Sequence, residues 1–257
     1  MDKQSMDKQR SRLSIKILKH VAASLFSSLF PSRCILCHQT INNAAINRHV
    51  ELCEQCFSAQ PENLNCCNRC ALPLVSELED QPLCGRCIRQ LPDYDYVNSL
   101  FRYEGDVINL VHQLKFSEKI SYARSIGELL MTVLNTDDLP ECYLPVPLHS
   151  SRLRQRGYNQ SIEITRVLSK NTGIPIEYDA VIRHRSTQSQ TGLNAKQRQK
   201  NIRGAFELVK KLNAKHVLIV DDVMTTGATV NELARCLKEQ EVERVGVLCI
   251  ARAPMKG

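Results

Sequence analysis

The sequence predicts an α/β fold, a parallel sheet with flanking helices, preceded by a small cysteine-rich module. Two patterns carry this. From about Asp93 onward, apolar runs of strand length alternate with stretches of helical period, and strands separated in that way need βαβ crossovers. Before that point, nine of the twelve cysteines crowd between Cys34 and Cys87, which marks a framework rather than core filling. The 257 residues, 43% hydrophobic and 24% charged, suffice for one domain of roughly 150 residues and a smaller companion, and they exclude a disordered or fibrous chain. The division expected is a basic segment over 1–33, a cysteine module over 34–92 and an α/β domain over 93–257.

In the first segment Met1–Gln4 recurs as Met6–Gln9, a pattern that fits an alternative start better than a repeat fold. Arg10 to Phe30 runs from basic residues into HVAASLFSSLF. Its outline is that of a secretory signal, but the apolar part is short, serine-interrupted and without a small-x-small cleavage site before Cys34. A basic amphipathic helix packed on its own domain is the expectation, with a peripheral inner-membrane contact as the alternative. No stretch approaches the roughly 20 apolar residues that span a bilayer.

The cysteines of the module fall into four C-x-x-C pairs: Cys34 with Cys37, Cys53 with Cys56, Cys67 with Cys70, and Cys84 with Cys87. Cys66 is left over, so a complete disulfide framework does not close. Two thiolates two residues apart on a tight knuckle reach one Zn²⁺ at about 2.3 Å. The first two pairs read C-x2-C-x15-C-x2-C and the second two C-x2-C-x13-C-x2-C, within and slightly short of the usual zinc spacing. Two zinc ribbons in series are expected; one site plus incidental or redox-active cysteines is the alternative, and spacing leaves an interleaved pairing open. With four complete pairs there is no ligand vacancy for His38 or His49, which are expected in solvent-facing loops. Four thiolates per metal leave no open position, so about two structural zinc ions per chain are expected. Cys142, Cys236 and Cys249, scattered singly, read as small core residues.

The α/β elements follow in order. Tyr96 to Tyr103 reads as a strand; Asp106 to Phe116 places Val107, Leu110, Val111 and Leu114 at helical spacing; Ile120 to Leu134 supplies a second helix. CYLPVP (Cys142 to Pro147) is a short apolar strand ended by proline, followed by an arginine-rich loop and a helix over Ser161 to Lys170. HVLIV (His216 to Val220) is a buried strand, Ala228 to Gln240 a helix, and Val245 to Ala251 another buried strand. Ligands of such sheets bind at the carboxyl ends of the strands.

One of those ends carries the strongest chemistry. After His216–Val220 come Asp221 and Asp222, then Thr225, Thr226, Gly227, Ala228 and Thr229 turning into a helix. Paired carboxylates accept hydrogen bonds from a vicinal diol and help hold a hard cation such as Mg²⁺. The turn offers amides and hydroxyls at a helix N-terminus, where the dipole favours phosphate. Diol plus phosphate describes a ribose 5-phosphate. An N-capped acidic turn of no function would need only one such residue. The two closest of the ten glycines are eleven positions apart, which excludes a G-x-G-x-x-G fingerprint and a Walker A loop.

This run resembles the phosphoribosyl pyrophosphate (PRPP) signature of type I phosphoribosyltransferases, and the chain after Pro31 resembles the ComF family, also called ComF/GntX, in which a double zinc ribbon precedes such a domain. The segments that carry the resemblance are LFPSRCILC with the later cysteine pairs, FRYEGDVINLVHQLKF, LPVPLHSSRLRQRGYNQS, STQSQTGLNAKQRQKNIRGAF and VLIVDDVMTTGAT. The doubled Cys66–Cys67 and the long basic N-terminus depart from it. The resemblance implies that Mg²⁺-PRPP binds with its ribose on Asp221 and Asp222, its 5-phosphate on Thr225 to Thr229, and its pyrophosphate on Arg152 and Arg156, Arg154 facing solvent. It also implies that Arg183 to Arg203, with six basic residues and no acidic one, is a mobile hood from which Gln190, Lys196, Arg198 and Arg203 reach the closed site, Arg198 among the catalytic residues with the two aspartates. As a plain sequence this stretch equally reads as a solvated loop. Lys115 either reaches the site or caps its helix.

Two function classes follow. One is a phosphoribosyltransferase of unknown acceptor, linked by the resemblance to natural competence and the use of external DNA. The other is a non-catalytic PRPP- or single-stranded-DNA-binding accessory factor working with a DNA-uptake helicase or translocation machinery. The net charge of +7 divides into a basic 1–33, an acidic 34–92 and a basic 93–257, with eleven basic against three acidic residues between His149 and Arg203. That basic face suits PRPP and DNA alike. Tyr158 and Tyr178 are its only aromatics, too few for a dedicated base-stacking platform. An intracellular metabolite as ligand and cysteines as metal ligands make the cytoplasm the expected location.

Overall fold

The computed structural model describes residues 32–41, 51–74, 82–116, 120–185 and 202–255. The expected N-terminal helix, His49, Gln190, Lys196 and Arg198 lie outside them.

The cysteine module contributes two short helices, α1 (Glu54–Ser58) and α2 (Gly85–Arg89), each N-capped by a cysteine, Cys53 and Cys84. The chain continues as β1 (Tyr96–Arg102), α3 (Asp106–Phe116), α4 (Ile120–Leu130), β2 (Cys142–Pro145), α5 (Ser150–Arg156), α6 (Gln160–Thr172), β3 (Val181–Arg183), β4 (Phe206–Leu208), β5 (His216–Met224), α7 (Ala228–Lys238) and β6 (Arg244–Arg252). Four strands form one parallel sheet in the order β1-β6-β5-β2.

Alternation along the central strands divides the interior into two cores. Val217 and Ile219 of β5 join Val245 and Val247 of β6 in one core with α7, the β3–β4 pair and Cys67, Cys70, Cys84 and Cys87. Leu218, Val220, Leu248 and Ile250 point the other way, into a core with α3, α4, α6 and Cys34. Successive strand residues face opposite sides, so helices cover both faces of the sheet and each half of the cysteine module packs on a different one.

Strand β2 ends at Pro145 and helix α7 at Lys238, each two residues short of expectation, and three further places differ more. The helix begun at Ile120 stops at Leu130 rather than Leu134; the Thr132 hydroxyl bonds the Leu129 carbonyl at 2.7 Å, an alternative to the helical ladder that favours termination. The segment bearing Arg152, Arg154 and Arg156 is not a loop but the helix α5, started by the His149 ring accepting from the Ser151 amide and ended by Gly157 at φ 77°. Asp221 and Asp222 lie inside β5 rather than beyond it, because β6 continues alongside as far as the Met224–Arg252 pair.

The module also closes a sheet edge. Glu62 bridges Phe101 of β1, with the Asn63 amide on the Leu100 carbonyl at 2.9 Å and the Arg102 amide on the Pro61 carbonyl at 2.8 Å. An edge strand that would present unpaired backbone groups is thereby paired.

Candidate functional site

The strand ladder itself opens the site. β2 pairs β5 only as far as Pro145 with Val220, while β5 runs on for four residues. The helix that follows β5 packs on one face of the sheet and α6, which follows β2, on the other. Such a divergence of neighbouring connections leaves a crevice at the carboxyl ends of the strands. It holds a cavity of about 680 Å³ whose lining includes Tyr103, Lys115, Arg152, Arg156, Gln160, Arg183, Asp221, Asp222 and the whole Thr225–Thr229 turn.

At its floor the aspartates have different partners. Asp222, buried, takes the Lys115 ammonium at 3.0 Å and the Gln160 side-chain amide at 2.9 Å. Burial disfavours the Lys115 charge, but the Asp222 carboxylate outweighs it and holds the lysine above its ordinary range. Lys115 therefore reaches the site, settling the choice the sequence left open. Asp221 has the Ser161 hydroxyl at 3.4 Å and the Asp222 amide at 2.9 Å. Burial first, and then the Asp222 charge, push Asp221 up to about 7.

Beyond them Gly227, at φ 78°, is the N-cap of α7. That left-handed conformation strains any other residue, so the turn needs glycine; the Met224 methyl, 2.6 Å from where a Cβ would sit, is the mobile end of a flexible side chain. The Thr226 hydroxyl accepts from the Ala228 amide at 3.3 Å. The same lining carries Arg152 and Arg156 from α5 and Arg183 from β3. Burial, then Arg156, lower Arg152; burial, then Arg152, bring Arg183 down to about 10 against the pull of Asp221. The cavity thus sets four cations against two carboxylates, an arrangement that a polyanion relieves.

Of the expected site residues, Asp221, Asp222, Thr225, Thr226, Gly227, Ala228, Thr229, Arg152 and Arg156 line this one cavity, while Arg154 is exposed as expected. Arg203 is exposed beyond the cavity lining, where its carbonyl takes a bond from Arg185 at 3.4 Å. The antiparallel β3–β4 pair lies at the two ends of the basic stretch from Arg183 to Arg203. Sequence reasoning passed over Gln160, Ser161, Arg183 and Tyr103. Arg183 opens the acid-free basic stretch and Gln160 follows the N-capping Asn159, weak signals that become legible only when the crevice is seen.

The eight cysteines assemble in sequence, Cys34, Cys37, Cys53 and Cys56 in one group and Cys67, Cys70, Cys84 and Cys87 in the other, all sulfurs of a group within 4.8 Å of one another. Cys37 and Cys53 sulfurs are 3.8 Å apart and those of Cys70 and Cys84 3.6 Å, close to the edge of about 3.8 Å of a tetrahedron with 2.3 Å arms. Burial opposes the Cys34 and Cys67 thiolates, yet knuckle amides outweigh it and bring them down to about 6 and 7. Both tetrads therefore fit zinc. His38 is exposed, Cys142, Cys236 and Cys249 are buried, and Cys66 stands half-buried beside the second tetrad.

A parallel sheet with an acidic pair and a helix-capping turn at its carboxyl edge, behind a double zinc ribbon, defines the class: residues 157–257 match the phosphoribosyl transferase domain and residues 25–88 the double zinc ribbon domain. Over 229 residues, 86% of this chain and 97% of the relative, the sequence is 34% identical to the DNA utilization protein YhgH of Shigella flexneri, and equally so to that of Escherichia coli K12. It is 32% identical over 235 residues to Competence protein F of Haemophilus influenzae, covering 88% of this chain and 99% of that one. The chain belongs to the ComF family of competence-linked proteins with a phosphoribosyltransferase domain. No helix among the described residues is long and apolar enough to cross a membrane.

Proposed function

We propose that the cavity binds PRPP with Mg²⁺ and that the protein is a phosphoribosyltransferase serving the use of external DNA. One observation carries this reading: an adjacent carboxylate pair, the Thr225–Thr229 turn at a helix N-terminus and three arginines line a single cavity. Asp221 and Asp222 accept the ribose hydroxyls, Asp222 being oriented by Lys115 and Gln160. The Thr225–Thr229 turn takes the 5-phosphate, and Arg152, Arg156 and Arg183 face the pyrophosphate. Mg²⁺ supplies charge neutralisation on the departing pyrophosphate when bound. The chain's part in transfer is positioning and electrostatics: it fixes C1 between donors that stabilise the leaving group, while an acceptor nitrogen approaches from the other side. Gln190, Lys196, Arg198 and Arg203 are the further residues assigned to this site, Arg198 to catalysis. The two cysteine tetrads hold structural zinc.

Titration of PRPP, with and without Mg²⁺, against the wild type and the Asp221→Ala, Asp222→Ala double variant is the test. Loss of binding in the variant is expected, and equal binding by both proteins overturns the assignment. Pyrophosphate release with a panel of acceptors then separates an enzyme from a binding protein. The exposed Arg154, Arg185 and Arg203 favour a second reading, an accessory factor that holds single-stranded DNA by its phosphates for a translocation machinery. That reading requires affinity that falls steeply with salt.

A further inference from the structure

The second cysteine tetrad and the phosphate turn meet directly. Arg86, between Cys84 and Cys87 on α2, donates to the Thr226 carbonyl at 2.7 Å. Arg252, fully buried at the end of β6, donates to the Cys70 carbonyl at 2.9 Å and on its other side to the Met224 carbonyl at 3.1 Å and the Thr225 carbonyl. Just after the tetrad, Asp93 and Asn231 exchange two hydrogen bonds, 2.9 Å from the Asp93 amide and 2.6 Å to its carboxylate, pinning the first turn of α7. Cys67, Cys70, Cys84 and Cys87 share a core with Tyr94, Met224, Ala228 and Val230. Cys34, Cys53 and Cys56 of the first tetrad pack in the other core.

The consequence follows from peptide geometry. The described peptides are trans, and in a trans peptide the carbonyl and the next amide point in opposite directions. The Met224 carbonyl is held by the Ala253 amide at 2.9 Å and by Arg252, the Thr225 carbonyl by Arg252 and the Thr226 carbonyl by Arg86, so the amides of Thr225, Thr226 and Gly227 face away from those partners, and all these residues line the cavity. Successive amides aimed at one point form an anion nest. Without the two arginines the Thr225–Thr226 and Thr226–Gly227 peptides would lose that alignment by rotation, whereas the Met224–Thr225 peptide keeps its bond to the Ala253 amide.

We propose that Arg86 and Arg252 are the positioning residues of the phosphate turn, and that the second cysteine tetrad, not the first, fixes them. The ligand part of this inference rests on the turn being the 5-phosphate site; the bracing does not. Arg252 is too deeply buried for its replacement to be informative, so the test uses Arg86→Met and Arg86→Lys in the zinc-loaded full chain. Amide hydrogen exchange over Thr225–Thr229 should quicken about tenfold in Arg86→Met and recover largely in Arg86→Lys, which keeps one donor. Ribose 5-phosphate should bind about tenfold more weakly to Arg86→Met, whereas inorganic pyrophosphate, held by the cavity's arginines, should bind unchanged, with two zinc ions retained. Along a chelation time course, turn exchange should rise as Cys67, Cys70, Cys84 and Cys87 become open to alkylation and not as Cys34, Cys37, Cys53 and Cys56 do. Unchanged exchange in Arg86→Met, or a rise that tracks the first tetrad, overturns the proposal. A wild type that ignores ribose 5-phosphate while the exchange arm behaves as stated supports the brace and refutes only the phosphate reading.

Discussion

Lys115 stands in the last turn of α3, where a lysine ordinarily serves the helix dipole, yet its ammonium is committed to the buried carboxylate of Asp222. Removing one partner of such a pair leaves an uncompensated charge in a poorly solvated place. Lys115→Met should therefore lower stability by about 3–5 kcal/mol in chemical denaturation, and adding Asp222→Asn should recover most of it. Asp221 behaves oppositely. Its folded value of about 7 lies above the ordinary 3.8, so the folded state holds the proton more tightly. The contribution to stability is complete below the ordinary value and is lost as pH rises through 7. In ligand-free protein Asp221→Asn should gain on the wild type between pH 5 and pH 8, by about 1–3 kcal/mol at the upper end; a constant difference across thermal melts at those pH values would contradict it. The acidic pair was legible in the sequence because two carboxylates after an apolar run have no role in a core. Their unequal environments were not, since Lys115, Gln160 and Ser161 come from elements brought together only by the sheet.

Among the elements, legibility followed length and period. The buried strands β5 and β6 and the helix α3 announce themselves by apolar runs or 3.6-residue spacing. The helix α5 does not: of SSRLRQR only Leu153 is apolar, and it is exposed, so the caps at His149 and Gly157 rather than periodicity define it. The β3 and β4 strands, three residues each, are too short to show alternation and pair across a long insertion. The cysteine spacing named both tetrads but not their difference in accessibility. In the first, Cys37 is exposed and Cys53 and Cys56 half-buried; in the second all four are buried. A chelator or alkylating agent reaches sulfur through solvent, so zinc should leave in two phases at least about tenfold apart, the labile equivalent accompanied by modification of Cys37. Chelation followed by mass spectrometry reads both, and simultaneous labelling of the two tetrads would refute the difference.

At the scale of the whole molecule, composition divides the chain near residue 93, but both cores draw residues from either side of that point. The segment 61–63 pairs with β1, Asn63 bonds the Ala71 carbonyl at 2.9 Å, and Arg252 takes the Cys70 carbonyl inside the protein. Removing residues 1–92 would uncover the β1 edge, strip apolar surface from both faces of the sheet and open the buried Arg252 to solvent. Each stripped face forfeits about 25 cal/mol for every square ångström of apolar area left in water, and marginal domains have only about 5–15 kcal/mol to lose. An uncovered parallel edge strand also templates association between chains. Residues 93–257 expressed alone should therefore be destabilised by several kcal/mol, bind a hydrophobic dye and self-associate at micromolar concentration. The Arg86→Met full chain, which disturbs a single contact, should stay monodisperse under the same conditions. A truncated protein with the melting temperature of the full chain would mean that the ribbon module rides on the sheet without completing it, and the shared cores would then contribute little to its stability.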